Sequence, residues 1–288
     1  MKYLSILAFI FLFAIGLAAT EYKIDFVKSI GDEREDYTFF KINSIVMADN
    51  SKDIYVADLA GHFIAKYNWD GKFIKRIGQK GSGPGDFGII SSLSIYKNKL
   101  YVYDYENTRI TEMGLDLTNI QMDFKDRRIR YLGALASLTM NLSPERDKLA
   151  ISFFRPNNPV DFYVYNIRGE ALKQFSYKAD NKFRFPEHLL NLMEPVPATY
   201  YSLTVDSVFP YKNNYIVFYS EVSHLSEKDE KADAFCLIFN SSGELIQKIK
   251  IDEKLYFFHL SNEGYLLGSQ LDADIGKVFI YQLKEAKK

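Results

Sequence analysis

The chain has 288 residues, 47% of them hydrophobic and 25% charged, with a formal net charge of -1, an ordinary balance for a globular protein with a sizeable core. That balance excludes a generic nucleic-acid binder and a polybasic membrane-surface binder, both of which need a clear positive excess. Aromatic residues reach 16%, with Tyr 21 and Phe 23 against one Trp. Such residues suit the pleated surface of a sheet, so composition points to an all-β chain.

Residues 1–19 read as a secretory signal peptide: Lys2, an apolar run from Tyr3 to Leu17, then the small Ala18 and Ala19 at the cleavage point. An uncleaved signal anchor is the rival, since the run approaches the roughly 17 residues that span a bilayer. No cysteine lies near the cleavage point, which excludes lipid attachment there. The expectation is a secreted or periplasmic protein whose residues 20–288 form one domain, with no stable membrane span after cleavage.

Next, "FVKSIG" (26–31) matches "FIKRIG" (73–78), so the mature N-terminus has the pattern of a repeated strand. "DIYVADLAGHFIAKY" from Asp53 and "KLYVYDYENTRITEM" from Lys99 superpose with Tyr55 on Tyr101, Asp58 on Asp104 and Gly61 on Asn107. Gly and Asn tolerate the left-handed conformation, which predicts one tight turn used twice at Gly61 and Asn107. The two aspartates are expected to accept backbone N–H groups in that turn. "KYNWDGKFIKRI" from Lys66, "VYNIRGEALKQF" from Val164 and "IFNSSGELIQKI" from Ile238 each read Asn-x-x-Gly between alternating runs. That pattern predicts three hairpins with Gly71, Gly169 and Gly243 at positive φ.

Between these repeats lies "GQKGSGPGDFG" (78–88), which contains a literal G-x-G-x-x-G. A dinucleotide fingerprint follows a strand and opens a helix, whereas "IISSLSIYKNKLYVYD" continues as strand, turn and strand. Gly78 to Phe87 aligns instead with the glycine-poor Gly31 to Phe40. This predicts an inter-repeat connection closed by a buried ring, Phe40 in one copy and Phe87 in the other.

"LAISFF" (149–154), "YIVFYS" (215–220) and "YLLGSQ" (265–270) repeat the second strand, giving five countable units of about four short strands, the mark of propeller blades. A sixth, degenerate unit could occupy 180–202, where "PEHLLNLM" (186–193) is the one stretch with helical character. The last unit lacks its outer strand and the chain starts with a spare one, so pairing of the termini is expected to close the ring. The sole cysteine, Cys236 in "AFCLIF", reads as a buried thiol.

The segment "IYVADLAGHFIAKYNWDGKFIKRIGQKGSGPGDF" followed by "LYVYDYENTRI" resembles the NHL-repeat class of β-propellers, and is similar to secreted bacterial six-bladed members. The likeness is strong over 40–124 and is one of pattern only over 130–283. It implies a rigid ring with variable loops. Related lyases of that class hold zinc with central histidines, and His62, His224 and His259 are those that could converge on the axis here. No pair of the four histidines has metal-like spacing, and no H-E-x-x-H, C-x-x-C or G-x-S-x-G motif occurs. "LDADIG" (271–276) offers two alternating acids to Ca²⁺ but lacks a full oxygen-ligand set. No cofactor is therefore predicted, with calcium or zinc open.

In a propeller the second-to-third-strand turns and the inter-blade connections share one face, and the Asn-x-x-Gly hairpins the other. The long stretches 221–233 and 180–199 both belong to the first face. His62, Lys80, Arg109, His224 and the basic run Lys125, Arg127, Arg128 and Arg130 are assigned there as candidate ligand-binding residues, because guanidinium and ammonium groups match carboxylates, phosphates and sulfated sugars. The expected function is a monomeric scaffold that binds a protein, peptide or glycan and no nucleic acid. The alternative is a metal-dependent lyase or hydrolase at the channel mouth.

Overall fold

In a computed structural model of the protein, residues 21–31, 39–123, 138–142, 148–153, 160–166, 170–177, 203–222, 232–251, 255–270 and 276–286 are described. Every regular element among them is a strand. The first is β1 (Tyr22–Ile30). Four sheets then follow in chain order. The first comprises β2 (Ile42–Met47), β3 (Ile54–Asp58), β4 (Phe63–Tyr67) and β5 (Phe73–Ile77), and the second β6 (Ile90–Tyr96), β7 (Lys99–Asp104), β8 (Arg109–Gly114) and β9 (Gln121–Asp123). The third holds β10 (Leu138–Leu142), β11 (Lys148–Phe153), β12 (Val160–Asn166) and β13 (Ala171–Tyr177), and the fourth β14 (Leu203–Tyr211), β15 (Asn214–Val222), β16 (Ala232–Phe239) and β17 (Leu245–Ile251). Last come β18 (Tyr256–Leu260), β19 (Tyr265–Ser269) and β20 (Val278–Glu285), which β1 joins in the order β1-β20-β19-β18. The expected closure is therefore present: Tyr22 pairs with Glu285 and Ile30 with Val278 in an antiparallel register.

First strands of neighbouring sheets touch, β2 on β6, β10 on β14, β14 on β18 and β18 on β2. They thus lie towards the axis, and β1, β5, β9, β13 and β17 lie at the rim. The core sits in slabs between sheets. One slab packs Phe39, Ile45 and Tyr67 against Leu267 and Ile280 of the closing sheet; another packs Tyr55 and Ile64 against Leu100 and Val102. Each fully buried Ile, Leu or Phe contributes about 1.5–3 kcal/mol, which explains the apolar character of the middle strands on both faces. The β2 and β6 strands are also stitched by polar contacts: Asn43 Nδ2 donates to Ile90 O (2.8 Å) and Leu93 N to Ser44 Oγ (3.0 Å).

Two of the expected Asn-x-x-Gly hairpins are seen in full. Gly71 and Gly243 both have φ of 88°, and each donates its N–H to the preceding Asn carbonyl at 3.0 Å. Asn68 and Asn240 also accept backbone N–H groups through Oδ1, from Lys72 and Glu244, so the side chain braces the turn. The third, at Gly169, lies outside the described residues, as do the leader 1–19, the stretch 180–202 and the acids of "LDADI". A related turn missed in the sequence joins β18 to β19, where Ser261 replaces Asn and Gly264 has φ 85°.

A recurring bulge marks the rim. In the pairing of four of the five outer strands with their neighbours one residue is skipped: Val27 in β1, Ile74 in β5, Leu172 in β13 and Ile246 in β17, whereas the three-residue β9 pairs regularly. All four are exposed aliphatics. Bulges twist a free edge away from incoming strands, so these blunt the rim against pairing.

Candidate functional site

The second-to-third-strand turns and the inter-sheet connections do meet on one face. The connection from β5 to β6 folds over the turn between β3 and β4. His62 Nδ1 donates to Gly88 O (2.6 Å), and a Cβ on Gly78 would lie 2.6 Å from His62 O. Gly78 has φ 117°, a conformation that an L side chain resists. Gly85, with φ 82°, packs against Ile77 and Ile120. The glycines thus serve a tight backbone path, and no helix follows them.

Asp58 and Asp104 anchor two such connections from inside. Asp58 accepts the N–H groups of Phe40 (2.6 Å), Lys41 (3.2 Å) and Gly61 (2.8 Å). Asp104 accepts those of Gly88 (3.1 Å) and Asn107 (3.2 Å). Both carboxylates are fully buried, where several N–H donors are needed to offset desolvation. Each therefore ties its own turn to the incoming connection, as the repeat implied.

Two details of the repeat need correction. The left-handed residues are His62 (φ 53°) and Thr108 (φ 52°), one position after Gly61 and Asn107. Gly61 is required for another reason: a Cβ there would stand 2.3 Å from the Phe63 ring. Asn107 instead donates Nδ2 to Gly81 O (2.9 Å) and Asp104 (2.6 Å). The ring that closes the first connection is Phe39, fully buried, whereas Phe40 is 61% exposed. Asp58 bonds Phe40 N as Asp104 bonds Gly88 N, so Phe39 matches Phe87 and the first connection is one residue shorter.

Among the sequence candidates, the structure separates His62, Lys80 and Arg109 by depth. Arg109 is 4% exposed. Its guanidinium donates to Ser82 O (2.7 Å) and to Asp86 O, and pairs with Asp104 at 3.5 Å. It is a strut beneath the glycine-rich connection and does not face solvent, which corrects its reading as a ligand-binding residue. Lys80 is exposed on top of that connection, its backbone bridged to Phe87, and its ammonium has no partner among the described residues. His62 is part-exposed. His224, Lys125, Arg127, Arg128 and Arg130 lie outside the described residues.

The long stretches join the elements as expected. Residues 223–231 connect β15 to β16, second strand to third, and 178–202 connect β13 to β14, one sheet to the next. Their flanking strand ends therefore open on the face that carries Lys80. Among the described residues no three His, Cys, Asp or Glu are grouped to hold a metal ion, and no helix is long and apolar enough to cross a membrane.

Antiparallel four-stranded sheets set radially, with first strands inward and a closing strand taken from the other terminus, define a β-propeller. Comparison with known proteins agrees. A family model described as a 6-bladed beta-propeller matches residues 32–130, while five four-stranded sheets are formed by the described residues. Among solved structures, a protein of Bacteroides fragilis whose export is inferred is similar at 11% identity and a TM-score of 0.55, over 94% of this chain and 97% of that one. A luciferin-regenerating enzyme is similar at 12% identity and a TM-score of 0.48, over 91% of this chain and 95% of that one. No curated protein matches the sequence.

Proposed function

We propose that the protein is an exported, monomeric binding scaffold of the NHL-like kind, which recognises a protein, peptide or glycan on the face bearing its second-to-third-strand turns and inter-sheet connections. One observation carries this reading: the glycine-rich connection is held from beneath by Asp104 and Arg109, while Lys80 is exposed on it and His62 is part-exposed in the turn that it covers. An exposed cation and a neighbouring imidazole, both held by a rigid backbone, can orient a carboxylate or sugar hydroxyls. The connections 178–202 and 223–231 enlarge the same face. Export is supported by the leader pattern of residues 1–19 and by the export inferred for the Bacteroides fragilis relative.

The test is binding to glycan and peptide arrays. Wild-type protein is expected to give discrete ligands whose signal drops about tenfold in Lys80→Glu, the scale of one charge-assisted contact. Retention of every ligand by both Lys80→Glu and His62→Gln would overturn the assignment.

A further inference from the structure

The first two described connections end on equivalent positions at which bulk is traded with a neighbour. Asp58 holds the N–H of Phe40 and Asp104 that of Gly88, so Phe40 corresponds to Gly88, and Ala60 to Glu106, each two residues after its aspartate. In the first unit a large ring stands with a small partner: Phe40 is 61% exposed and Ala60 is also exposed. In the second the sizes are reversed. A Cβ on Gly88 would lie 2.6 Å from Glu106 Cβ and 2.8 Å from Glu106 Oε2, so the absent side chain leaves room for a carboxylate folded back over the connection. Glu106 is exposed, and its carboxylate has no hydrogen bond or ion pair among the described residues.

Backbone contacts set these groups in a row. Asp58 also accepts the N–H of Gly61 (2.8 Å), which places Phe40 beside the turn that carries His62. His62 Nδ1 bonds Gly88 O (2.6 Å), and Gly88 is the residue over which Glu106 folds. Ring, imidazole and carboxylate therefore follow one another across the seam between the first and second sheets, with Lys80 on the connection that crosses it. Sheets packed face to face stand about 10 Å apart, a span suited to a short oligosaccharide rather than to a single sugar. The surface charges at this seam balance, Lys41 and Lys80 against Asp86 and Glu106, and so select no ionised ligand.

Resting on the assignment of binding to this face, we propose that its ligand is a neutral oligosaccharide, one sugar stacked on Phe40 and hydroxyls of the next held by Glu106 and His62. The face of a phenyl ring is electron-rich and complements the C–H face of a pyranose, while an ionised carboxylate accepts hydroxyl protons in charge-assisted bonds. A protein partner is the poorer match, because interface anchors sit in apolar, charge-depleted surroundings, whereas Phe40 is flanked by the exposed Lys41 and by the His62 turn.

The probe is an array of neutral gluco-, manno- and galacto-oligosaccharides printed beside their sulfated forms and a peptide library, with the strongest ligand then titrated against variants. Wild type should bind at least one neutral oligosaccharide saturably. Phe40→Leu keeps an apolar side chain without the ring and should weaken that binding about tenfold, as should Glu106→Gln, which keeps the shape and removes the charge; Phe40→Tyr should retain it. Both positions are exposed, so the variants should fold, as circular dichroism would verify. No neutral-glycan binding, preference for the sulfated forms, or binding left intact by both Phe40→Leu and Glu106→Gln would each overturn the proposal. Peptide binding alone, lost in Lys80→Glu, would overturn the oligosaccharide and leave the connection face standing. Glycan binding that also survives Lys80→Glu and His62→Gln would overturn both.

Discussion

Gly78 and Gly83 lie five positions apart in one connection, and the surrounding atoms give them opposite tolerances. A Cβ on Gly78 meets the His62 carbonyl and the Phe87 ring at positive φ, so Gly78→Ala is expected to cost about 2–4 kcal/mol in urea unfolding. A Cβ on Gly83 meets only the Asp86 carboxylate, which can swing aside, and Gly83→Ala should stay within about 1 kcal/mol. A phosphate cradle would depend on Gly83 and Gly85 and would spare Gly78. Cys236 gives a second residue-scale outcome. Burial pushes its thiol pKa well above the ordinary range. The folded chain then keeps its proton where the unfolded chain loses it, above about pH 8.5. Its contribution is complete below that pH and is lost as pH rises further, so the stability gap between wild type and Cys236→Ala should narrow from pH 8 to 10. A thiol reagent at pH 8 should leave native protein unmodified and label it in urea.

At the scale of elements, the hairpins and second strands were legible because they rest on local chemistry. Asn-x-x-Gly needs only its own backbone, and the YVAD-like strands show their pattern in any context. The rim bulges at Val27, Ile74, Leu172 and Ile246 were not legible, because an exposed aliphatic looks the same in a regular strand as at a bulge. The pairing of β1 with β20 was readable from "FVKSIG" repeating "FIKRIG", but the seal on it was not. Trp69 of the β4–β5 hairpin packs at a tilt against Tyr265 of β19 with centroids 4.8 Å apart. Lys28 of β1 lies 3.8 Å over its ring and donates to its carbonyl. These contacts join three elements far apart in sequence. Trp69→Ala should destabilise the chain by about 2 kcal/mol, through lost packing and lost cation–π attraction. Because Trp69 is the sole Trp, its fluorescence in wild type should report opening of the closing sheet and coincide with the circular-dichroism transition.

For the whole molecule, ring closure has a topological consequence. Ala286 N donates to Glu21 O at 2.7 Å, so the last strand and the first are already neighbours. A circular permutant that joins Ala286 to Glu21, with new ends at the exposed Asp49–Ser51 turn, should fold with near-native stability. Failure to fold would contradict a ring closed in this way.

The face proposed for binding was readable only in outline at this scale. Connectivity placed the loops together, and the sequence singled out Lys80 and His62. It could not separate them from Arg109, since burial under Ser82 and Asp86 depends on how the glycines bend the chain. Cys236 is fully buried, so single surface thiols can be biotinylated selectively. The decisive measurement is array binding by two variants blocked with streptavidin, Lys80→Cys on the connection face and Asp70→Cys on the hairpin face. Ligand binding should be lost when Lys80→Cys carries the block and kept when Asp70→Cys carries it; loss only at Asp70→Cys, or equal binding by both, would contradict the assignment of function to the connection face.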